Sequence, residues 1–183
     1  MHEEIILSGF GGQGVLFAGQ LLAYAALAEE RHVTWIPSYG PEMRGGTAHC
    51  TVCISDEEIG SPLVRHPSAV LLMNPPSFQR YMPLVRPGGL LVLDEGMISE
   101  RSNRDDIHEV AIPAKAIAAE LGFDQIANLV LLGALVAATG VVKFETLDKV
   151  LEEHLSLRHQ DALVSNRLAL RRGAEYSLPL SLK

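Results

Sequence analysis

The chain has 183 residues, a net charge of -7, 48% hydrophobic and 20% charged residues, and only 5% aromatics. That is the composition of one globular domain with a sizeable core, which excludes a disordered chain. The acidic balance and the scarcity of rings argue against nucleic-acid binding, which draws on excess Lys and Arg and on aromatic stacking. The start, Met1-His2-Glu3-Glu4, lacks the cationic flank of a secretory signal, so a cytoplasmic protein is expected. The longest apolar stretch, Leu129 to Val142, is interrupted by Gly133, Thr139 and Gly140. It is too short to cross a bilayer and reads as a buried helix.

In chain order, Ile5 to Ser8 reads as a first strand, and Gly14 to Glu29 as a helix with apolar residues at helical spacing. His32 to Ile36 reads as a second strand ended by Pro37. Residues 38–46 form a loop rich in Gly and Pro, and Thr47 to Ile54 is a third strand. Ala69 to Met73 and Leu90 to Asp94 are continuous apolar runs, as parallel strands covered on both faces should be. Pro75 to Tyr81 reads as a short helix between them, and Ile107 to Ile112 as a last strand. Pro113 suits the first position of a helix over Ala114 to Leu121. Asp124 to Ala138, Phe144 to Leu155 and Asp161 to Glu175 follow as helices. Strands alternating with helices predict an α/β fold: a Rossmann-like, doubly wound, mainly parallel sheet flanked by helices, with extra helices at the C-terminus.

Ser8-Gly9-Phe10-Gly11-Gly12-Gln13-Gly14 is a Gly-x-Gly-x-x-Gly turn between the first strand and its helix. Its glycines let the backbone turn tightly and approach a ligand or partner, and the helix start offers free N–H groups to an anion. A dinucleotide site also needs an acid at the end of the second strand, about 20 residues on. That strand ends Trp35-Ile36-Pro37-Ser38, and Glu29 and Glu30 fall before it. The alternative is a close-packing turn, set against a partner chain. In the second loop, Ser38-Tyr39-Gly40-Pro41-Glu42-Met43-Arg44-Gly45-Gly46, Arg44 could fork onto a phosphate or carboxylate, or pair with Glu42. Topology would bring this loop to the glycine turn at the carboxyl ends of the strands.

Cys50 and Cys53 have the spacing of a redox pair or half a metal site. On a strand, however, positions i and i+3 face opposite ways, and no second pair exists to complete four thiolates. Two half-buried structural thiols are expected. Asp94-Glu95 reads as a strand-end turn. No serine elbow, nucleophile–base pair or paired carboxylates stand out, so no catalytic residue and no metal ligand is assigned.

Four blocks carry a resemblance. They are Gly9 to Gly14 with its helix, Ser38 to Gly46, the strand and loop through Ser55-Asp56 together with Arg86 to Leu91, and Asn128 to Ala134. At these residues the chain resembles the gamma subunit of 2-oxoacid:ferredoxin oxidoreductases, most closely the 2-oxoglutarate or branched-chain (ketoisovalerate) type. It departs at Ser68, where the family often has Asp. The resemblance implies one pyruvate/ketoisovalerate oxidoreductase gamma-type domain over residues 1–183. Such enzymes oxidise a 2-oxoacid to its acyl-CoA and pass electrons to ferredoxin, using thiamine diphosphate, Mg²⁺, iron–sulfur clusters and coenzyme A. The gamma chain holds none of these tightly and completes the site or shapes coenzyme A access. Its implied partners are alpha and beta subunits, in some complexes a ferredoxin-like delta subunit, and ferredoxin through the complex. Neither nucleic acid nor membrane is among them, and an isolated chain, inactive by itself, could pair as a homodimer. The candidate cofactor-binding residues are Gly9, Gly11, Gly12, Gln13, Gly14, Tyr39, Glu42, Arg44, Gly45 and Gly46. The competing reading is a free-standing Rossmann-type nucleotide-binding protein or dehydrogenase.

Overall fold

The computed structural model describes residues 1–39, 46–154 and 162–177, Tyr39 by its backbone only. The strands are β1 (His2–Phe10), β2 (His32–Tyr39), β3 (Thr47–Ser55), β4 (Ala69–Leu72), β5 (Leu90–Asp94) and β6 (His108–Ile112). The helices are α1 (Val15–Ala28), α2 (Pro75–Tyr81), α3 (Ala114–Glu120), α4 (Ala127–Thr139), α5 (Phe144–His154) and α6 (Leu163–Glu175). The six strands form one sheet in the order β2-β3-β1-β4-β5-β6.

The β1–β4, β4–β5 and β5–β6 pairs are parallel. The exception to the expected parallel pattern is β3, which runs antiparallel to both β1 and β2. The stretch between β2 and β3 is too short for a crossover helix, so β3 must return beside β2. It then slots between β2 and β1, and its pairing from His2↔Ser55 to Phe10↔Thr47 extends β1 well beyond the four-residue strand expected from the apolar run. The sheet covers its two faces unequally. On one side Ile5, Leu7, Leu71 and Val92 pack with α1, α3, α4 and α5 in the main core. On the other, Ile6, Val70, Leu72, Leu91 and Leu93 pack under Phe78 and Tyr81 of α2 with Val85 and Ile98. This is the doubly wound arrangement expected from the strand–helix alternation.

Several boundaries differ from the sequence expectation for physical reasons. Pro37 does not end β2, which continues to Tyr39 with Pro37 opposite Cys50. Because β2 is an edge strand, a residue without an N–H is tolerated there. Pro113 caps α3 from outside instead of opening it. The single helix expected from Asp124 is divided into a 3₁₀ turn, Asp124–Ile126, and α4, which stops at the left-handed Gly140. Leu155 and Asp161, the expected limits of the last two helices, lie outside the described residues. Cys50 and Cys53 are fully buried, not half-buried. Ser68 is also buried and exchanges two hydrogen bonds of 3.0 Å with the backbone of Glu4.

Helix α4 is apolar nearly all round, as a helix enclosed by sheet and helices must be. Its contact with α6 is backbone to backbone. A methyl added to Gly133 would fall inside the Leu170 carbonyl, and one added to Gly173 inside the Val130 carbonyl. Gly133→Ala should therefore destabilise the chain by about 3 kcal/mol through overpacking. A urea titration should show this as a lowered midpoint with an unchanged slope.

Candidate functional site

At the end of β1 the chain leaves the sheet through two left-handed glycines, Gly12 (φ 96°) and Gly14 (φ 76°). The N–H of Gln13 donates to the Phe10 carbonyl at 3.1 Å, closing the turn. The Gln13 side chain then spans it. Its Oε1 accepts the Phe10 N–H at 2.6 Å, and its Nε2 donates to the carbonyl of Met73, just past β4, at 3.3 Å. Gly9 lies beneath this side chain, and a methyl there would meet Oε1 at 2.6 Å. From the other side, Asn128 of α4 donates from Nδ2 to the Gly14 carbonyl at 2.9 Å. The two left-handed positions differ in kind. A methyl on Gly14 would strike the Asn128 amide at 2.5 Å, whereas one on Gly12 would meet nothing within 4 Å. Gly12 thus presents bare backbone outward, and Gly14 is locked inside.

Helix α1 starts directly from this turn. Gly14 is its N-cap, no side chain caps it, and its first turn holds no acid. The positive end of a 14-residue helix is therefore left for an anion or a partner's polar group. Two open cavities flank the turn and share Gly12, Asp124 and Gln125. The smaller, about 220 Å³, is bounded by Gln13, Met73, Asp94, Met97 and Lys115. The larger, about 740 Å³, is bounded by Phe17, Phe123, Asn128 and Asn166.

Of the residues expected at the site, Gly9, Gly11, Gly12, Gln13 and Gly14 form the turn itself. Gly46 joins them, because its carbonyl accepts the Gly11 N–H at 3.0 Å. The end of the second loop is thus at the glycine turn, as the topology implied. Tyr39 closes β2 opposite Ala48. Glu42, Arg44 and Gly45 lie outside the described residues. Sequence reasoning missed the roles of Asn128, Lys115, Gln125 and Asn166. Asn128 had a readable signal, since it is the one amide in the otherwise apolar run from Ala127 to Val136.

Asp94 closes β5 as the strand-end turn expected. It is 1% exposed, and its carboxylate accepts the Gly96 N–H at 3.0 Å and faces the N–H groups of Ala114 and Lys115 at the start of α3. Burial raises its pKa above the usual 3.8, only partly countered by those N–H donors and by Lys115.

The geometry weighs against a dinucleotide at this turn. On one side of β1 lies β3, which enters at this end with Thr47, and on the other β4 ends at Leu72, so neither neighbour ends there in an acid. Glu29 and Glu30 sit at the opposite end of the sheet, where Glu29 Oε1 accepts the Lys143 N–H at 2.7 Å. Cys50 and Cys53 face opposite sides of β3. Cys50 points to α1, with Sγ 3.6 Å from the Val15 carbonyl, and burial pushes its pKa up to about 12. Burial also raises Cys53, which faces Thr34 and Glu4. Among the described residues no three His, Cys, Asp or Glu side chains gather as a metal site, and no helix is long and apolar enough to cross a membrane.

Residues 4–176 match the family described as pyruvate ferredoxin/flavodoxin oxidoreductase, and the chain belongs to that family. It is 43% identical over 134 residues to ketoisovalerate oxidoreductase subunit VorA of Methanothermobacter marburgensis, a match covering 73% of this chain but only 28% of VorA. The chain thus spans little more than a quarter of that relative. It is 34% identical to 2-oxoglutarate synthase subunit KorC of Methanocaldococcus jannaschii, covering 98% of this chain and 96% of KorC. Among solved structures, it is similar to the keto/oxoacid ferredoxin oxidoreductase gamma subunit of Geobacter sulfurreducens. That match has a TM-score of 0.82 at 30% identity and covers 97% of this chain and 99% of the other.

Two outcomes test the site geometry. Gly14→Ala, strained at φ 76° and colliding with Asn128, should lose about 3 kcal/mol of stability, and Gly12→Ala about 1 kcal/mol from strain alone; parallel urea titrations would check the order. For Asp94, a raised folded-state pKa stabilises the fold below the unfolded value and loses that contribution as pH climbs through the folded value. Relative to Asp94→Asn, wild type should therefore lose stability as pH rises above 3.8, read as the difference between the two in one pH series.

Proposed function

We propose that this chain is the gamma subunit of a cytoplasmic 2-oxoacid:ferredoxin oxidoreductase, of the 2-oxoglutarate synthase type. The complex oxidatively decarboxylates the 2-oxoacid to its acyl-CoA and hands two electrons to ferredoxin. The observation that carries this reading is the near end-to-end correspondence with KorC, a relative named as a separate 2-oxoglutarate synthase subunit. The correspondence with KorC of Methanothermobacter marburgensis, at 39% identity over 159 residues and 86% of that chain, supports it.

Within such a complex this chain completes the site and carries no redox centre of its own. Thiamine diphosphate with its Mg²⁺ and the iron–sulfur clusters find no donor set among the described residues. The thiols stand back to back across β3, and no carboxylate, imidazole or thiol trio exists there. No step is therefore routed through them on this chain, and alpha and beta subunits, with a ferredoxin-like delta subunit where present, would hold them.

Coenzyme A would suit the glycine turn. Gly12 offers open backbone, the start of α1 is uncapped and without acid, and Lys115 stands in the adjoining cavity beside Asp94 and Asp124. Gly11, Gly12 and Gly46 would line its approach, with Gly9, Gln13 and Gly14 holding the turn behind them, and Tyr39, Glu42, Arg44 and Gly45 of the second loop are the further candidates. The turn would orient the phosphates of coenzyme A by backbone N–H groups.

The experiment is an anaerobic pull-down of the tagged chain from its own cells, assayed for viologen reduction with coenzyme A and a panel of 2-oxoacids. Larger chains should co-elute with coenzyme A-dependent activity that is highest on 2-oxoglutarate, and Gly12→Ala should preserve assembly while cutting turnover at limiting coenzyme A roughly tenfold. A lone, inactive chain would overturn the proposal.

A further inference from the structure

The glycine turn is held from two sides by side-chain amides, and each brace reaches a different part of the fold. Gln13 links Phe10 at the end of β1 to Met73 at the end of β4. Asn128, itself 4% exposed, links α4 to the N-cap of α1. An amide is the side chain suited to this, because it carries an acceptor and donors on one rigid plane. Both polar atoms of Gln13 have main-chain partners across the turn. Without the braces, a segment with two left-handed glycines would sample many shapes, since glycine restricts the backbone least.

We infer that Gln13 and Asn128 are positioning residues, setting the outward face of Gly11 to Gly14 for the ligand it receives instead of contacting that ligand. This rests on the reading that the turn meets coenzyme A. Gln13 accordingly belongs to the support of the site and not to its contact surface. The rate of a positioned reaction is sensitive to displacements near 1 Å, so a loosened turn should weaken use of the one substrate it orients. Chemistry dictates the variants. Gln13→Glu keeps the acceptor for the Phe10 N–H but sets a second acceptor against the Met73 carbonyl. Asn128→Asp does the same against the Gly14 carbonyl. Gln13→Met keeps the length and removes both bonds, leaving Phe10 N–H and Met73 C=O bare.

The test uses the assembled complex carrying wild-type, Gln13→Glu or Asn128→Asp chain. The expected result is a KM for coenzyme A raised roughly tenfold, with kcat within about twofold and the KM for the 2-oxoacid unchanged. A merely structural role would lower the yield of active complex and leave the coenzyme A KM alone, and that result would overturn the inference. Amide hydrogen exchange on the full chain by itself reads the brace without activity. The Phe10 amide should exchange at least roughly tenfold faster in Gln13→Met than in wild type, since its protection derives from that bond. Equal exchange would overturn the brace even if the complex proved active. Faster exchange together with a complex indifferent to coenzyme A would leave the brace standing and remove the reading of the turn as a coenzyme A contact.

Discussion

Between Phe10 and Val15 the backbone must leave a buried strand and enter a helix within four residues, and it does so through left-handed backbone at Gly12 and Gly14 and close packing at Gly14. Gly14 is pressed against Asn128, and Gly9 against the amide of Gln13. The chain meets this constraint by removing the side chains and then fastening the bare backbone with two amides that arrive from elsewhere. The reversal fixes where α1 begins, and with it the line along which α1 lies between the sheet and α5. It also fixes which N–H groups face outward. Other features at this end of the sheet, including the Gly46 contact and the two flanking cavities, take their place from that turn.

The reversed strand β3 has an effect of a different kind. In a fully parallel sheet the position on the β2 side of β1 would be the end of a strand, where a carboxylate could reach a ribose. Here it is the start of one. The same insertion that lengthens β1 to nine residues therefore removes the geometry on which a dinucleotide site depends. A Gly-x-Gly-x-x-Gly turn in this setting is left with its backbone and its helix dipole, which suit a phosphate without demanding a particular nucleotide.

The sheet and most helices were legible because their signals are local. Runs such as Ala69 to Leu72 and Leu90 to Asp94 announce buried strands, and the glycines announce a turn. What was illegible depends on partners distant in sequence. Pro37 reads as a stop unless β2 is known to lie at the edge, and Cys53 reads as half-buried unless β1 and β2 are known to flank it with Glu4 and Thr34. Asn128 stood out as the one amide of an apolar run, but what it binds could not be read, because its partner lies 114 residues away. The glycine residues of the site could be named in advance for the same reason that their braces could not. The turn is written in consecutive residues, while what holds it is contributed by β4 and α4.

Both thiols of the chain are sealed, on opposite faces of one strand, and the pKa of Cys50 is pushed up to about 12. Oxidation proceeds through an accessible thiolate, and neither condition is met at ordinary pH. The two thiols are consequently slow to oxidise in air, and neither cysteine requires a reductant during purification or storage.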